Sequence, residues 1–160
     1  MNARPVYDLI IIFERNVMKL LHFAVGLLIA ISMGTASART PVPIVNFDNV
    51  TFATATGKKP DDTQIQQAVI RAATQHQWTT TPAGDNKLIA SLNVRGKHTV
   101  TVDISWTADT YTIRYKSSVN MDFAEQGKGA APQPGPVIHP FYNKWVGNLR
   151  DGINRELSQL

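Results

Sequence analysis

Two neighbouring stretches, KHTVTVDISW (residues 97–106) and YTIRYKSSV (residues 111–119), alternate apolar and polar side chains with a period of two. In the first stretch, the apolar side chains fall on one face at Val100, Val102, Ile104 and Trp106. Strict alternation of this kind is typical of a half-buried β-strand. TADT (107–110), which separates the two stretches, is polar and predicts a turn. The pair therefore predicts an antiparallel hairpin with one face in solvent.

Further strands are predicted on the N-terminal side of this hairpin. NKLIASLNVR (86–95) alternates in the same way, and Gly96 allows a tight reversal into the next strand. QWTTTP (77–82) is rich in β-forming residues around Trp78. PVPIVNFDNVTF (41–52) predicts the first strand, with a bulge at Asp48–Asn49 that restores its alternation.

Two segments show helical periodicity instead. In the first, Asp61 and Gln64 have capping-box spacing, and the apolar stripe that follows consists of Ile65, Ala68, Val69, Ala72 and Ala73. The second contains IHPFYNKWVGNLRDGI (138–153). Its apolar side chains recur every four residues at Phe141, Trp145, Leu149, Ile153 and Leu157, and the stripe is widened by Tyr142, Val146 and Leu160. This spacing predicts an amphipathic helix that starts near Pro140, has His139 at its N-terminal flank, and uses its aromatic rings as core.

The predicted fold class is α+β, with element order β-α-β-β-β-β-α. An antiparallel sheet of four to five strands would cover its apolar face with two helices. This order matches the arrangement of TBP-like and helix-grip domains, an analogy of fold that carries little information about function.

The N-terminal region has the pattern of a secretory signal peptide at residues 18–38. Lys19 is followed by an uncharged apolar run of about 14 residues, shorter than the roughly 20 that a membrane-spanning helix needs. Ala36-Ser37-Ala38 is a small-x-small cleavage site, which predicts a mature chain from Arg39. Residues 1–17 fit poorly and are interpreted as a gene-start extension before Met18, although a start at Met1 with a long n-region is the alternative.

These features predict a periplasmic protein in which residues 39–160 form one α+β domain. The alternative is an uncleaved segment that anchors the chain in the inner membrane, and membrane contact is expected through this segment only. The chain has no cysteine, which excludes disulfides and a lipid-modified cysteine. The net charge of +4 is spread along the sequence without a basic run, so nucleic acid is not an expected partner.

Signatures of catalysis and cofactor binding are missing from the sequence. There is no G-x-S-x-G elbow, no H-E-x-x-H pair and no phosphate-binding glycine loop, so no catalytic residue, metal ligand or cofactor is predicted. Ser117, His139 and Asp122 are the residues from which a hydrolase triad would have to be assembled. His76 and His98 are interpreted as a helix end and a strand start.

A binding surface is predicted where the last strand ends and the last helix begins. A Gly- and Pro-rich flexible loop, residues 125–136, joins these two ends and allows them to lie close together. Its candidate residues are Tyr115, Lys116, Ser118, Asn120, His139, Tyr142, Asn143 and Lys144. The alternative role for these side chains is to cap and fix the ends of the loop.

The same stretches carry a resemblance to a known group. Three stretches carry it: IASLNVRGKHTVTVDISW (89–106), RYKSSVNMDF (114–123) and IHPFYNKWVGNLRDGI (138–153). They resemble small exported proteobacterial proteins of uncharacterised function, many of which look like lipoproteins. The similarity covers residues 64–157. The matching positions are Gly96, His98, Tyr111, Tyr115, Ser118, Asn120, His139, Tyr142, Asn143 and Trp145. The resemblance implies export but no activity, and this chain lacks the lipobox cysteine of the lipoproteins.

The sequence thus favours an exported periplasmic protein without catalytic activity that binds a protein or another component of the cell envelope. A second hypothesis is a binder of small polar ligands, with a pocket between the sheet and the C-terminal helix. A third hypothesis is a hydrolase that uses His139.

Overall fold

A computed structural model describes residues 39–126 and 135–160. Three predicted segments lie outside the described residues: the signal peptide with its cleavage residue Ala38, the extension before it, and residues 127–134 of the loop. The elements are β1 (Val42–Pro43), β2 (Phe47–Thr51), α1 (Asp62–Gln75), β3 (Thr79–Pro82), β4 (Lys87–Val94), β5 (His98–Trp106), β6 (Thr110–Val119), β7 (Val137–Ile138) and α2 (Phe141–Leu157).

The main sheet has five antiparallel strands in the order β2-β6-β5-β4-β3. Strands β3 to β6 form a meander, and β6 returns beside β2, so α1 connects the two edge strands. Both helices lie against the apolar face of the sheet, and the described chain has a single core cluster. The predicted α+β class and element order are confirmed.

Local features of the sequence explain the first half of the fold. Asp61 Oδ1 accepts a hydrogen bond from the Gln64 N–H at 2.8 Å, and the Gln64 side chain accepts one from the Asp61 N–H at 3.0 Å. This is the predicted capping box. The register of β2 shifts between Phe47 and Val50, where Asn49 has a φ of 51°. The predicted bulge is therefore confirmed.

A second irregularity was not predicted. The pairing of β5 with β6 shifts between Thr101 and Val102, because Val102 lies opposite Tyr115 and Thr101 lies opposite Ser117. Lys116 is the extra residue of β6. The bulge keeps Tyr115 beside the core and changes which side chains after it face the helices.

The burial pattern of α2 corrects the predicted apolar stripe. Phe141 is 36% exposed and Trp145 is only partly buried, so the two aromatic rings are not full core residues. Leu149, Ile153 and Leu157 of the predicted stripe are buried, as are Tyr142 and Val146, which were predicted to widen it; Gly152 and Glu156 complete the buried side. The prediction followed a strict four-residue repeat, which drifts around a helix of 3.6 residues per turn.

A small second sheet was also missed. β1 pairs antiparallel with β7, with Val42 opposite Ile138 and Pro43 opposite Val137. It fastens the segment after Arg39 to the segment that leads into α2. Across the described residues, no helix is long and apolar enough to span a membrane.

Candidate ligand-binding cleft

A cleft of about 670 Å³ opens where the β4–β5 turn meets the start of α2. Its size falls within the range of sites for small molecules, roughly 300–1,000 Å³. The lining residues are Arg39, Val94, Arg95, Lys97, His98, Met121, His139, Phe141, Lys144 and Trp145. They come from the start of the described chain, the β4–β5 turn, the segment after β6 and the first turns of α2.

The β4–β5 turn places two cations on one side of the cleft. Arg95 and Gly96 have φ values of 56° and 66°, and the Asn93 side chain accepts a hydrogen bond from the Gly96 N–H at 2.9 Å. A left-handed backbone favours glycine or asparagine, because other side chains crowd the neighbouring carbonyl there. The turn therefore does not explain an arginine at position 95. Lys97 directly follows Gly96 and is exposed.

Two imidazoles face the cleft from different elements, with ring centroids 6.3 Å apart. His98 Nδ1 lies 2.7 Å from the carbonyl oxygen of Asn120, which can only accept, so this nitrogen carries the proton. His139 Nδ1 accepts a hydrogen bond from the Phe141 N–H at 3.2 Å. In neutral rings, Nε2 of His98 is thus an acceptor and Nε2 of His139 is a donor.

Backbone and amide hydrogen bonds hold these imidazoles in place. Asn120 has a φ of 55°, and its side chain donates to the Lys97 carbonyl at 2.7 Å. The His139 N–H donates to the Met121 carbonyl at 2.8 Å. Ala124 and Val137 exchange two backbone hydrogen bonds. The end of β6 is therefore tied both to the β4–β5 turn and to the entry of α2.

An aromatic row forms another wall. Successive ring centroids are 5.1 Å apart for His139 and Phe141 and 5.7 Å apart for Phe141 and Trp145. The Arg39 guanidinium lies 4.3 Å above the centre of the Phe141 ring, within the range of a cation–π contact. The cleft thus combines cations with an aromatic surface.

The electrostatic character of the cleft is one-sided. Its lining contains Arg39, Arg95, Lys97 and Lys144, and no aspartate or glutamate. The ion pairs of the described chain use other cations, such as Lys59 with Asp109 and Arg71 with Glu156. Positive charge in the cleft is therefore not neutralised by an intramolecular ion pair within the described residues.

The predicted binding residues are divided between the cleft and other places. His139 and Lys144 line the cleft, and Asn120 supports it. Lys116 donates to Asp103 at 2.8 Å, in an ion pair between β6 and β5. Asn143 accepts from the Val45 N–H at 3.0 Å and donates to the Pro43 carbonyl at 2.9 Å, which ties β1 to α2.

The remaining predicted residues form a small cluster next to the cleft. The Tyr115 ring stacks on Phe123 at 4.7 Å and meets Tyr142 edge-on at 5.6 Å. The Tyr115 and Ser118 hydroxyls lie 3.0 Å apart. Tyr142 is fully buried, and burial raises the pKa of its hydroxyl.

Of the ten lining residues, only His139 and Lys144 were predicted for the binding surface; the polar residues that sequence reasoning missed are Arg39, Arg95, Lys97 and His98. Arg39 was noted only as the first residue after a cleavage site, and His98 only as a strand start and as a position that matches the resembling proteins. The signal that was available is the arginine before Gly96 in a tight turn, together with a lysine and a histidine directly after it.

Other chemistries receive little geometric support. In residues 39–126 and 135–160, no group of three or more His, Asp or Glu side chains could hold a metal ion. His139 hydrogen-bonds with Phe141, and neither Ser117 nor Asp122 is among its hydrogen-bond partners in the described chain. The hydrolase hypothesis therefore has no assembled triad to build on.

Comparison of the chain with family models, with curated proteins and with solved structures finds no match. The resemblance to small exported proteins stays a prediction from the sequence.

Proposed function

We propose that this protein is an exported, periplasmic binding module without catalytic activity, which holds a component of the cell envelope in the cleft between the β4–β5 turn and α2. The observation that carries the proposal is the 670 Å³ cleft, whose cationic side chains make no side-chain hydrogen bond or ion pair within the described chain. Lys116 and Asn143, two predicted site residues outside the cleft lining, do have such partners.

Export rests on the sequence pattern of residues 18–38. Its direct measurement is the intact mass of the protein in fractionated native cells. We expect a mass that begins at Arg39, in the periplasmic fraction. A mass that retains Met1 or Met18, in the membrane fraction, would contradict the periplasmic part of the proposal and favour an uncleaved anchor.

Binding in the cleft is tested by native mass spectrometry of protein gently purified from the periplasmic fraction. We expect an added mass on the wild-type protein that is lost in Phe141→Ala. Phe141 lines the cleft and is 36% exposed, so its removal should cost little stability. Phe123→Ala is the matched control, because Phe123 is 41% exposed and lies outside the cleft lining.

Hydrogen exchange on addition of envelope extract gives a second readout. We expect protection at residues 94–98 and 139–145, the two cleft walls. The binding proposal fails if neither method detects a ligand, or if Phe141→Ala and Phe123→Ala behave alike.

A further inference from the structure

We infer that the ligand of this cleft carries a phosphate-type group, that is, a multiply charged oxyanion joined to a larger molecule with an apolar or planar part. This inference rests on the proposed function and specifies the chemistry of its ligand.

The first step is charge. The lining offers the cations Arg39, Arg95, Lys97 and Lys144, plus two imidazoles, and includes no carboxylate. A phosphate monoester carries about −1.5 to −2 charges near neutral pH and three strongly accepting oxygens, so it can use several of these donors at once. All four cationic residues are exposed, so they are free to bind an anionic group, and a neutral ligand would make no use of their charge.

The second step is the presence of an arginine, Arg95, in the left-handed backbone of the β4–β5 turn. Arg95 has a φ of 56°, where glycine or asparagine is favoured, and its side chain makes no intramolecular ion pair in the described chain. A guanidinium binds phosphate through two parallel hydrogen bonds. Residues held in unfavourable backbone conformations are enriched at ligand-binding sites, which is consistent with a binding role for Arg95.

The third step is size and shape. A cleft of about 670 Å³ is larger than one phosphate needs, and the Phe141 and Trp145 rings supply an apolar wall beside the cations. The rest of the ligand would lie against this wall. Phosphate on a lipid headgroup and phosphate on a water-soluble metabolite share this chemistry.

The experiment uses protein expressed from the full gene and purified. Pyrophosphate and glycerol 3-phosphate are titrated by calorimetry, as probes for a water-soluble source. Binding to vesicles of phosphatidylcholine, with and without phosphatidic acid, is measured by co-sedimentation as the probe for a lipid source. We expect saturable binding of at least one phosphate probe, and the arm that gives the tighter binding identifies the source.

Charge-matched variants separate the cleft from general electrostatics. Lys97→Gln with Lys144→Gln should weaken binding about tenfold or more, since hydrogen bonds between a cation and a phosphate oxygen are stronger than those between neutral groups. Lys87→Gln with Arg155→Gln removes the same charge at the far ends of β4 and α2, about 23 Å and about 16 Å along those elements. This control should stay within about twofold of wild type.

Arg95→Asn removes the guanidinium without destabilising the fold. Because asparagine tolerates the left-handed backbone better than arginine, we expect equal or higher thermal stability together with weaker phosphate binding.

Three outcomes would overturn the inference: no probe binds, the cleft pair and the control pair lose binding equally, or Arg95→Asn binds like wild type. If envelope extract still protects the cleft in hydrogen exchange while every phosphate probe fails, the proposed function stands and the phosphate assignment falls. If the extract also leaves the cleft unprotected, both fall.

Discussion

Two buried tyrosines, Tyr111 and Tyr142, differ in the hydrogen bonding of their hydroxyls. Tyr111 donates to the Asn154 side chain at 2.7 Å and lies 3.2 Å from the Arg150 carbonyl. Tyr142 is fully buried, and its hydroxyl has no hydrogen-bond partner among the described residues. A buried hydroxyl without a partner costs about 1–3 kcal/mol of desolvation, whereas one with a partner contributes about 1 kcal/mol.

Replacing each tyrosine by phenylalanine should therefore have opposite effects. We expect Tyr142→Phe to leave the free energy of unfolding unchanged or to raise it by about 1 kcal/mol. Tyr111→Phe should lower it by about 1–2 kcal/mol, because the Asn154 oxygen loses its donor. Urea unfolding of both variants measures the difference. If Tyr142→Phe is the more destabilised of the two, the Tyr142 hydroxyl has a partner that these contacts do not include.

The same comparison bears on the cluster that was predicted to bind a ligand. Tyr142 was a candidate because it is a tyrosine near a helix start, yet its ring is core and meets Tyr115 edge-on. A polar atom on an aromatic ring does not reveal from sequence whether the ring points to solvent or to the core, because both positions satisfy the same helical spacing.

At the scale of elements, Gly152 of α2 packs against the C-terminal end of α1, beside Ala72 and the C-cap residue His76. A Cβ atom at this position would lie 2.8 Å from two atoms of the His76 ring, whereas a Cβ at Gly147 on the same helix would meet nothing within 4 Å. Both residues lie inside α2, so both substitutions by alanine gain the same intrinsic helix propensity of about 1 kcal/mol. Only the packing differs between them.

We therefore expect Gly147→Ala to stabilise the protein by up to about 1 kcal/mol. Gly152→Ala should be less stable than Gly147→Ala by about 1–3 kcal/mol, the usual cost of overpacking a core. Adding His76→Ala removes the obstructing ring and should reduce this difference, which a double-mutant cycle measures by thermal unfolding. Equal stabilities of the two alanine variants would show that the His76 ring moves aside at little cost.

The helices and strands could be predicted from the sequence, but the contacts between them could not. Alternation from Val100 to Trp106 and the capping box at Asp61 are local patterns, so the strand and the helix start were predicted correctly. The 6.3 Å approach of His98 and His139 depends instead on the β5–β6 register and on the bond from His98 to Asn120. These are contacts between distant parts of the chain, and no periodicity encodes them.

The cleft illustrates the same limit. In the sequence, Arg95 and Lys97 are typical of a solvent-exposed turn. Arg39 and Lys144 are distant from this turn along the chain. The two-residue strands β1 and β7, which fasten Arg39 near α2, are too short to show alternation. A cluster of unneutralised cations thus becomes visible only after these long-range pairings are known.

For the whole molecule, the two helices are joined by a buried carboxylate. Glu156 of α2 is 6% exposed and accepts hydrogen bonds from Arg71 at 2.7 Å and from Gln75 at 2.8 Å, both on α1. The hydrogen bond from Arg71 lowers the pKa of Glu156 below its ordinary value of 4.5. Burial opposes this shift, and the bond from Gln75 and the charge of Arg71 assist it.

A carboxylate whose pKa is lower in the folded chain than in the unfolded chain stabilises the fold in its ionised form. This contribution is fully present above the unfolded pKa and is lost as the pH falls through the folded pKa. We therefore expect the free energy of unfolding, measured in urea from about pH 7 to about pH 3, to fall on the acid side partly because of Glu156.

Glu156→Gln keeps the size of the side chain and removes its charge. The variant should be less stable than wild type at neutral pH, and the two curves should converge toward the acid end. Two parallel curves would mean that Glu156 joins the helices by packing and neutral hydrogen bonds, and that other carboxylates cause the acid sensitivity of the domain.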